Sequence, residues 1–223
     1  MRFVIGEVIP LALVVALSPI NVIPSILLLF SERPGRNASL FLAGFMGGVG
    51  SALIALTVLA DLIGFDPGSG HSSWAAWLRI FLGAYLLVAA VRKFRSRPRA
   101  GEDGTMPAWM DGVTEYSGTR SLGLGVGLGA GNPKNLAVGL AAAVAITGAG
   151  LPGAQQVAVI AVYVAIAMLG VVAPLVAMLV LGSRATEVLD GWKIWLRQSN
   201  ATIMSVLFLV FGVVLLSQGF GSV

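Results

Sequence analysis

Apolar runs long enough to cross a bilayer recur along this chain, and that recurrence limits its fold more than any single motif. They fall at 8–30, 38–61, 74–91, 121–151, 155–182 and 200–218. A hydrocarbon core of ~30 Å needs about 20 residues at ~1.5 Å each, so runs of this length read as transmembrane helices rather than strands. The fold class expected is therefore an all-α integral membrane protein of six transmembrane helices. Only 11% of residues are charged and 57% are hydrophobic. The longest polar stretch, 92–120, is too short to build a core of its own, which leaves the membrane part as the whole machine. Glu7 interrupts the apolar character of the first ~30 residues, and no small-x-small cleavage pattern follows, so they read as the first span rather than a signal peptide.

The loops alternate in basic charge. Those at 31–37, 92–120 and 183–199 carry Arg33 and Arg36; Arg92, Lys93, Arg95, Arg97, Arg99 and Arg120; and Arg184, Lys193 and Arg197. The loops at 62–73 and 148–154 carry no Lys or Arg. The positive-inside rule places the first group in the cytoplasm and both termini outside. Three spans per half then give two inverted repeats, 1–91 and 121–223, joined by a cytoplasmic basic loop at 92–120. Residues 184–198 put Val188, Leu189, Trp192, Trp195 and Leu196 at helical spacing, which predicts an anchoring helix in the headgroup layer. The pI near 10 reflects this loop charge, so nucleic acid is not expected as a partner.

Two spans are polar where polarity is expensive. The first contains Ser18, Pro19, Ile20 and Asn21, followed by Pro24; the fourth contains Asn132, Pro133, Lys134 and Asn135. Aligned on proline, Ser18 matches Asn132 and Asn21 matches Asn135. Proline removes an N–H and clashes one turn back, which predicts broken helices 1 and 4 with freed carbonyls. Paired interruptions in inverted halves point to a transporter's binding site. The candidate substrate-binding residues are accordingly Ser18, Pro19, Asn21, Pro24, Asn132, Pro133, Lys134 and Asn135. A proline kink capped by its neighbours is the plainer account of either motif alone. Lys134 at mid-depth costs at least ~2.5 kcal/mol and so should face protein or water, where it could exchange protons or hold an anionic headgroup. No carboxylate lies at similar depth, which leaves the ligand as its expected counter-ion.

The remaining intramembrane features are less specific. Asp61 and Arg79 lie near the outer ends of spans two and three and are expected to pair, with a gating role open to them. Tyr85, Tyr163 and Pro174 are candidates to line a pathway. Glycines at 123, 125, 127, 129 and 131, with Gly44, Gly47, Gly48 and Gly50, allow close helix approach or local unwinding. There is no Cys, and the one His, His71, is in a loop. No metal site, cofactor or thiol chemistry is expected. Without a P-loop or a Ser, His and acid set inside the membrane, the chain does not read as an enzyme.

Three segments carry a family likeness: R-P-R-A-G-E-D-G-T-M-P-A-W-M (97–110), G-N-P-K-N-L (131–136) and L-D-G-W-K-I-W-L-R-Q-S-N-A-T-I-M (189–204). In order along nearly the whole chain, they resemble the peptidoglycolipid-addressing and sulfolipid-addressing proteins of mycobacteria and other actinobacteria. That family belongs to the LysE superfamily of exporters, and L-G-A-Y-L-L (82–87) is similar to the superfamily's pattern in the third span. The resemblance implies a three-plus-three repeat and export of a cell-envelope glycolipid from the inner membrane. It also implies membrane lipid as partner and cooperation with a large lipid-exporting pump. Efflux of a small solute, a non-transporting scaffold of a lipid-export complex, and assembly as a homo-oligomer stay open.

Overall fold

A computed structural model of the chain describes residues 1–62, 72–97 and 107–221. His71, most of the 62–73 loop, Arg99 and much of the 97–110 motif lie outside the described residues. The described part is all helical: α1 (Arg2–Ala16), α2 (Pro19–Leu29), α3 (Pro34–Leu62), α4 (Ser72–Arg95), α5 (Gly118–Ala130), α6 (Pro133–Thr147), α7 (Gly153–Leu181) and α8 (Ala185–Phe220). Two helical stretches are long and apolar enough to cross a membrane, Pro34–Leu62 and Gly153–Phe220, and the pair α1 and α2 makes a third if it is one crossing. This is a membrane protein.

Each interruption starts from the same local physics. Ser18 and Asn132 both precede a proline, which excludes the helical region for them, and both are extended, with φ and ψ of −77° and 114° at Ser18 and −76° and 116° at Asn132. Pro19 and Pro133 then open α2 and α6 at the first helical position, where a missing N–H costs nothing. The chain bends by 51° between α1 and α2.

Glycine sets how closely the helices meet. On α3, Gly44 and Gly48 face the backbone of Leu122 and Val126; on α5, Gly125 and Gly129 face the backbone of Phe41 and Phe45. Two small-xxx-small motifs thus interlock, and a Cβ at Gly48 would lie 2.8 Å from Val126 O, closer than real contacts allow. A second seam joins α4 to α8 through Gly83 and Gly212, each against the other's carbonyl oxygen. The main core gathers Phe41, Phe45, Leu53, Ile146 and Tyr163 with much of α1. A smaller one joins α2 to the start of α8 through Ile23, Ile26, Leu189 and Met110.

The α2–α3 turn, residues 107–118 and the start of α8 gather at one end. Asn37 Nδ2 donates to Tyr116 O at 2.9 Å and to Ser31 Oγ at 2.9 Å, and Met110 packs with Ala185 and Leu189. The start of α1 and the ends of α6 and α8 gather at the other, around one groove.

One expectation changes. The headgroup helix at 184–198 and the span at 200–218 are one uninterrupted helix of 36 residues, because no residue from Ala185 to Phe220 breaks the backbone pattern. Only Ala185, Leu189 and Leu196 of its first part are buried, while Trp192 and Trp195 stay exposed. The run at 121–151 divides into helices of 13 and 15 residues. Its glycines do not unwind; they form regular α5, held by close packing on α3.

Candidate functional site

The carbonyl end of α1 can be accounted for group by group, since its last four C=O groups lack helical donors. Leu13 O accepts from Leu17 N at 2.9 Å. Val15 O, deprived of a donor by Pro19, accepts from Asn21 Nδ2 at 3.0 Å. Ala16 O lies against the bare Cα of Gly170 on α7. Val14 O accepts from Lys134 Nζ at 3.0 Å, across 120 residues of sequence. The lysine of the second interruption thus caps the helix that ends at the first. Its ammonium sits at the negative end of the α1 dipole. A helix terminus therefore supplies part of the compensation that the missing carboxylate would have supplied.

The second interruption is satisfied differently. Asn132 Oδ1 caps α6 by accepting from Lys134 N at 3.1 Å. Asn135 Nδ2 donates to Leu128 O at 2.8 Å, one residue short of the carbonyl that Pro133 frees. Gly129 O, equivalent to Val15 O, has no donor among the described residues. A cavity of about 10 Å³ lies there, lined by Gly129, Asn135, Val15 and Tyr163 among others. That is room for about one water.

Four buried side-chain atoms among the described residues have no partner: Ser18 Oγ, Asn21 Oδ1, Asn135 Oδ1 and Arg197 Nε. Three of the four belong to the interruptions. All three are acceptors or can act as one, so the pair of breaks presents unspent hydrogen-bonding capacity where α1, α2 and α6 meet. Ser25, one turn beyond Asn21, ties α2 to α7 by donating to Val171 O at 2.7 Å.

The predicted residues are brought together unequally. Ser18, Pro19, Asn21, Lys134 and Asn135 meet around the end of α1, with Asn132 and Pro133 forming the start of α6 and Pro24 buried inside α2. Tyr163 joins them, fully buried on α7 beside the small cavity. Tyr85 does not: it is 54% exposed on α4, on the face bearing Trp77 and Phe81. Pro174 is buried within α7. The expected pairing of Asp61 with Arg79 is not made; Lys193 with Asp190 is the one ion pair among the described residues. Arg79 instead shares a groove with Glu7, on which it acts electrostatically.

Sequence reasoning missed Gly170 and the α1 carbonyls. Gly170 carried a faint signal as a lone glycine in the middle of a 29-residue apolar helix. Backbone carbonyls carry none, because every residue has one.

Comparisons with curated proteins and with solved structures find no match. The family model described as Sap, sulfolipid-1-addressing protein, matches residues 8–221, a range that includes both interruptions, the α3–α5 seam and all of α8. With almost its entire length covered by that model, the chain belongs to the sulfolipid-1-addressing protein family.

Proposed function

We propose that this chain moves a cell-envelope glycolipid, or its precursor, across the plasma membrane, with the headgroup handled where the two interruptions meet. The family membership supports a role in addressing lipid. The observation that carries the transport reading is the hydrogen bond from Lys134 Nζ to Val14 O, which joins the two interrupted elements. Interrupted helices in matching positions are where secondary transporters bind their cargo.

In this reading each interrupted pair, α1 with α2 and α5 with α6, is one broken crossing, and α3, α4, α7 and α8 make six in total. The repeats are 1–91 and 121–223, linked by the basic loop 92–120. The packing has the exchange pattern that a two-fold axis would create: α3 lies on α5 and α6, α7 lies on α1 and α2, and α4 lies on α8. Arg33, Arg36, Arg120 and Arg184 belong to the end that would face the cytoplasm, with both termini outside.

The cavity at the breaks admits no headgroup, so this conformation is closed. Opening requires Lys134 to leave Val14 O. An anionic or hydroxyl-rich headgroup would compensate the freed ammonium and would also satisfy Asn21 Oδ1 and Asn135 Oδ1, while acyl chains stay in lipid. The chain would do this without covalent chemistry, driven by a gradient or by a partner such as a large lipid-exporting pump.

Reconstitution in liposomes with a fluorescent glycolipid tests the reading. Wild-type protein is expected to move the label between leaflets, and Lys134→Met at equal incorporation to lower the rate about tenfold or more, the equivalent of ~1.4 kcal/mol. No movement by the wild type would leave a scaffold role instead. Unchanged movement by Lys134→Met would remove the breaks from the pathway.

A further inference from the structure

The groove away from the interruptions has a chemistry of its own. It opens a space of about 390 Å³ among Phe3 and Glu7 of α1, Arg79 of α4, the end of α6 at Ala145 and Gly148, and the end of α8. That volume is within the usual range of small-molecule sites. Glu7 and Arg79 are both partly buried, and they are near enough to interact electrostatically. Neither makes an ion pair or a hydrogen bond with the other or with any described group. An acid and a base held apart in a partly desolvated groove each lack a partner, and a ligand carrying both charges would supply both.

The surroundings sort the two charges. The C-termini of α6, at Gly148, and of α8, at Gly221, line the groove, and the negative ends of their dipoles favour a cation beside Glu7. The Arg79 guanidinium is a planar fork suited to a phosphate or carboxylate. Phe3, Val4 and Ala145 supply an apolar wall. The groove lies at the end of the bundle where α1 begins, within reach of a headgroup layer.

We propose that this groove binds a zwitterion with a primary ammonium at Glu7 and an anionic group at Arg79, the chemistry of a phosphoethanolamine lipid headgroup. The site stands whether or not the chain transports a lipid. A free zwitterionic solute has the same chemistry, and the test separates the two sources.

Purified protein in detergent is titrated with phosphatidylethanolamine, phosphatidylcholine and phosphatidylglycerol, and occupancy is read by native mass spectrometry. The ethanolamine lipid is expected to bind about tenfold tighter than the other two, since the trimethylated ammonium has no N–H to donate and the glycerol headgroup no cation; this corresponds to about 1.4 kcal/mol. Glu7→Gln should abolish the preference for ethanolamine over choline, and Arg79→Gln should weaken both. The double variant Glu7→Arg with Arg79→Glu should restore ethanolamine binding with the headgroup reversed. Displacement by free phosphoethanolamine at matching concentration supports the site and assigns it to a soluble ligand; failure to displace assigns it to lipid. Equal binding of all three lipids by the wild type, which requires no variant to fold, overturns the proposal, as does an unchanged preference in Glu7→Gln.

Discussion

The two interruptions share their backbone and differ in how they are closed. At the first, three of the carbonyls that α1 leaves open accept hydrogen bonds, from Asn21, Lys134 and a turn amide, while Ala16 O lies against Gly170. At the second, Asn135 reaches Leu128 O rather than the carbonyl that proline frees, and a water-sized cavity remains beside Gly129. The carbonyl that proline frees is therefore capped at the first break and open at the second, while unspent side-chain acceptors remain at both: Ser18 Oγ and Asn21 Oδ1 at the first, Asn135 Oδ1 at the second. The lysine belongs in sequence to the looser break and in space to the tighter one.

The strongest way to break this comparison is to wedge the first break open. Gly170→Leu places a side chain into Ala16 O, and since that oxygen is backbone it cannot step aside. Overpacking of this kind typically costs 1–3 kcal/mol, and the upper end, about 3 kcal/mol, is expected here. Thermal unfolding in nanodiscs should show the loss, and a stable Gly170→Leu protein would mean that α7 does not clamp the end of α1.

A smaller effect sharpens the contrast directly. Asn21→Leu and Asn135→Leu each strip a donor from a buried carbonyl, a change worth about 1–3 kcal/mol. Asn21 is fully buried, whereas Asn135 borders the cavity, where a water can replace the lost donor. Asn21→Leu should therefore destabilise by about 2 kcal/mol and Asn135→Leu by about 1 kcal/mol. Equal losses in chemical denaturation would erase the distinction between the capped and the open break.

The smallest effect concerns why glycine crowds the second break. Gly123 and Gly127 have nothing within 4 Å of an added Cβ, while Gly125 and Gly129 meet the α3 backbone. Gly123→Ala should stabilise by up to about 1 kcal/mol through helix propensity alone, and Gly129→Ala should destabilise. Opposite signs in paired melting curves support packing as the reason for the glycines; gains at both would point to unwinding instead.

The long apolar runs at 38–61 and 155–182 predict α3 and α7 to within a few residues, because uninterrupted hydropathy needs no tertiary information. The dipeptides Ser18-Pro19 and Asn132-Pro133 predict where helices stop, since proline acts on its immediate neighbour. What Lys134 touches was not legible: its partner is a carbonyl 120 positions away, and carbonyls have no sequence signature. The pairing of Asp61 with Arg79 failed for a related reason. Two charges at neighbouring helix ends suggest a bridge, yet the rotation of α4 turns Arg79 toward α1 and Glu7. The family likeness, read from three short segments, is matched by the family model over residues 8–221.

The unbroken course of α8 has a mechanical consequence. At ~1.5 Å per residue its 36 residues make a rod of about 54 Å, longer than the hydrocarbon core, with Trp192 and Trp195 near one end and Gln218 at the other. A rod pivots where it is gripped, and α8 is gripped closely at the glycine seam with α4. Gly219 also meets the α4 backbone at Ala76 and Ile80, so a tilt of the tryptophan end passes to α4 as well, and the Gln218 and Arg79 walls of the groove move together. A disturbance at the tryptophan end of the rod would so be felt at the groove without any change inside the breaks themselves.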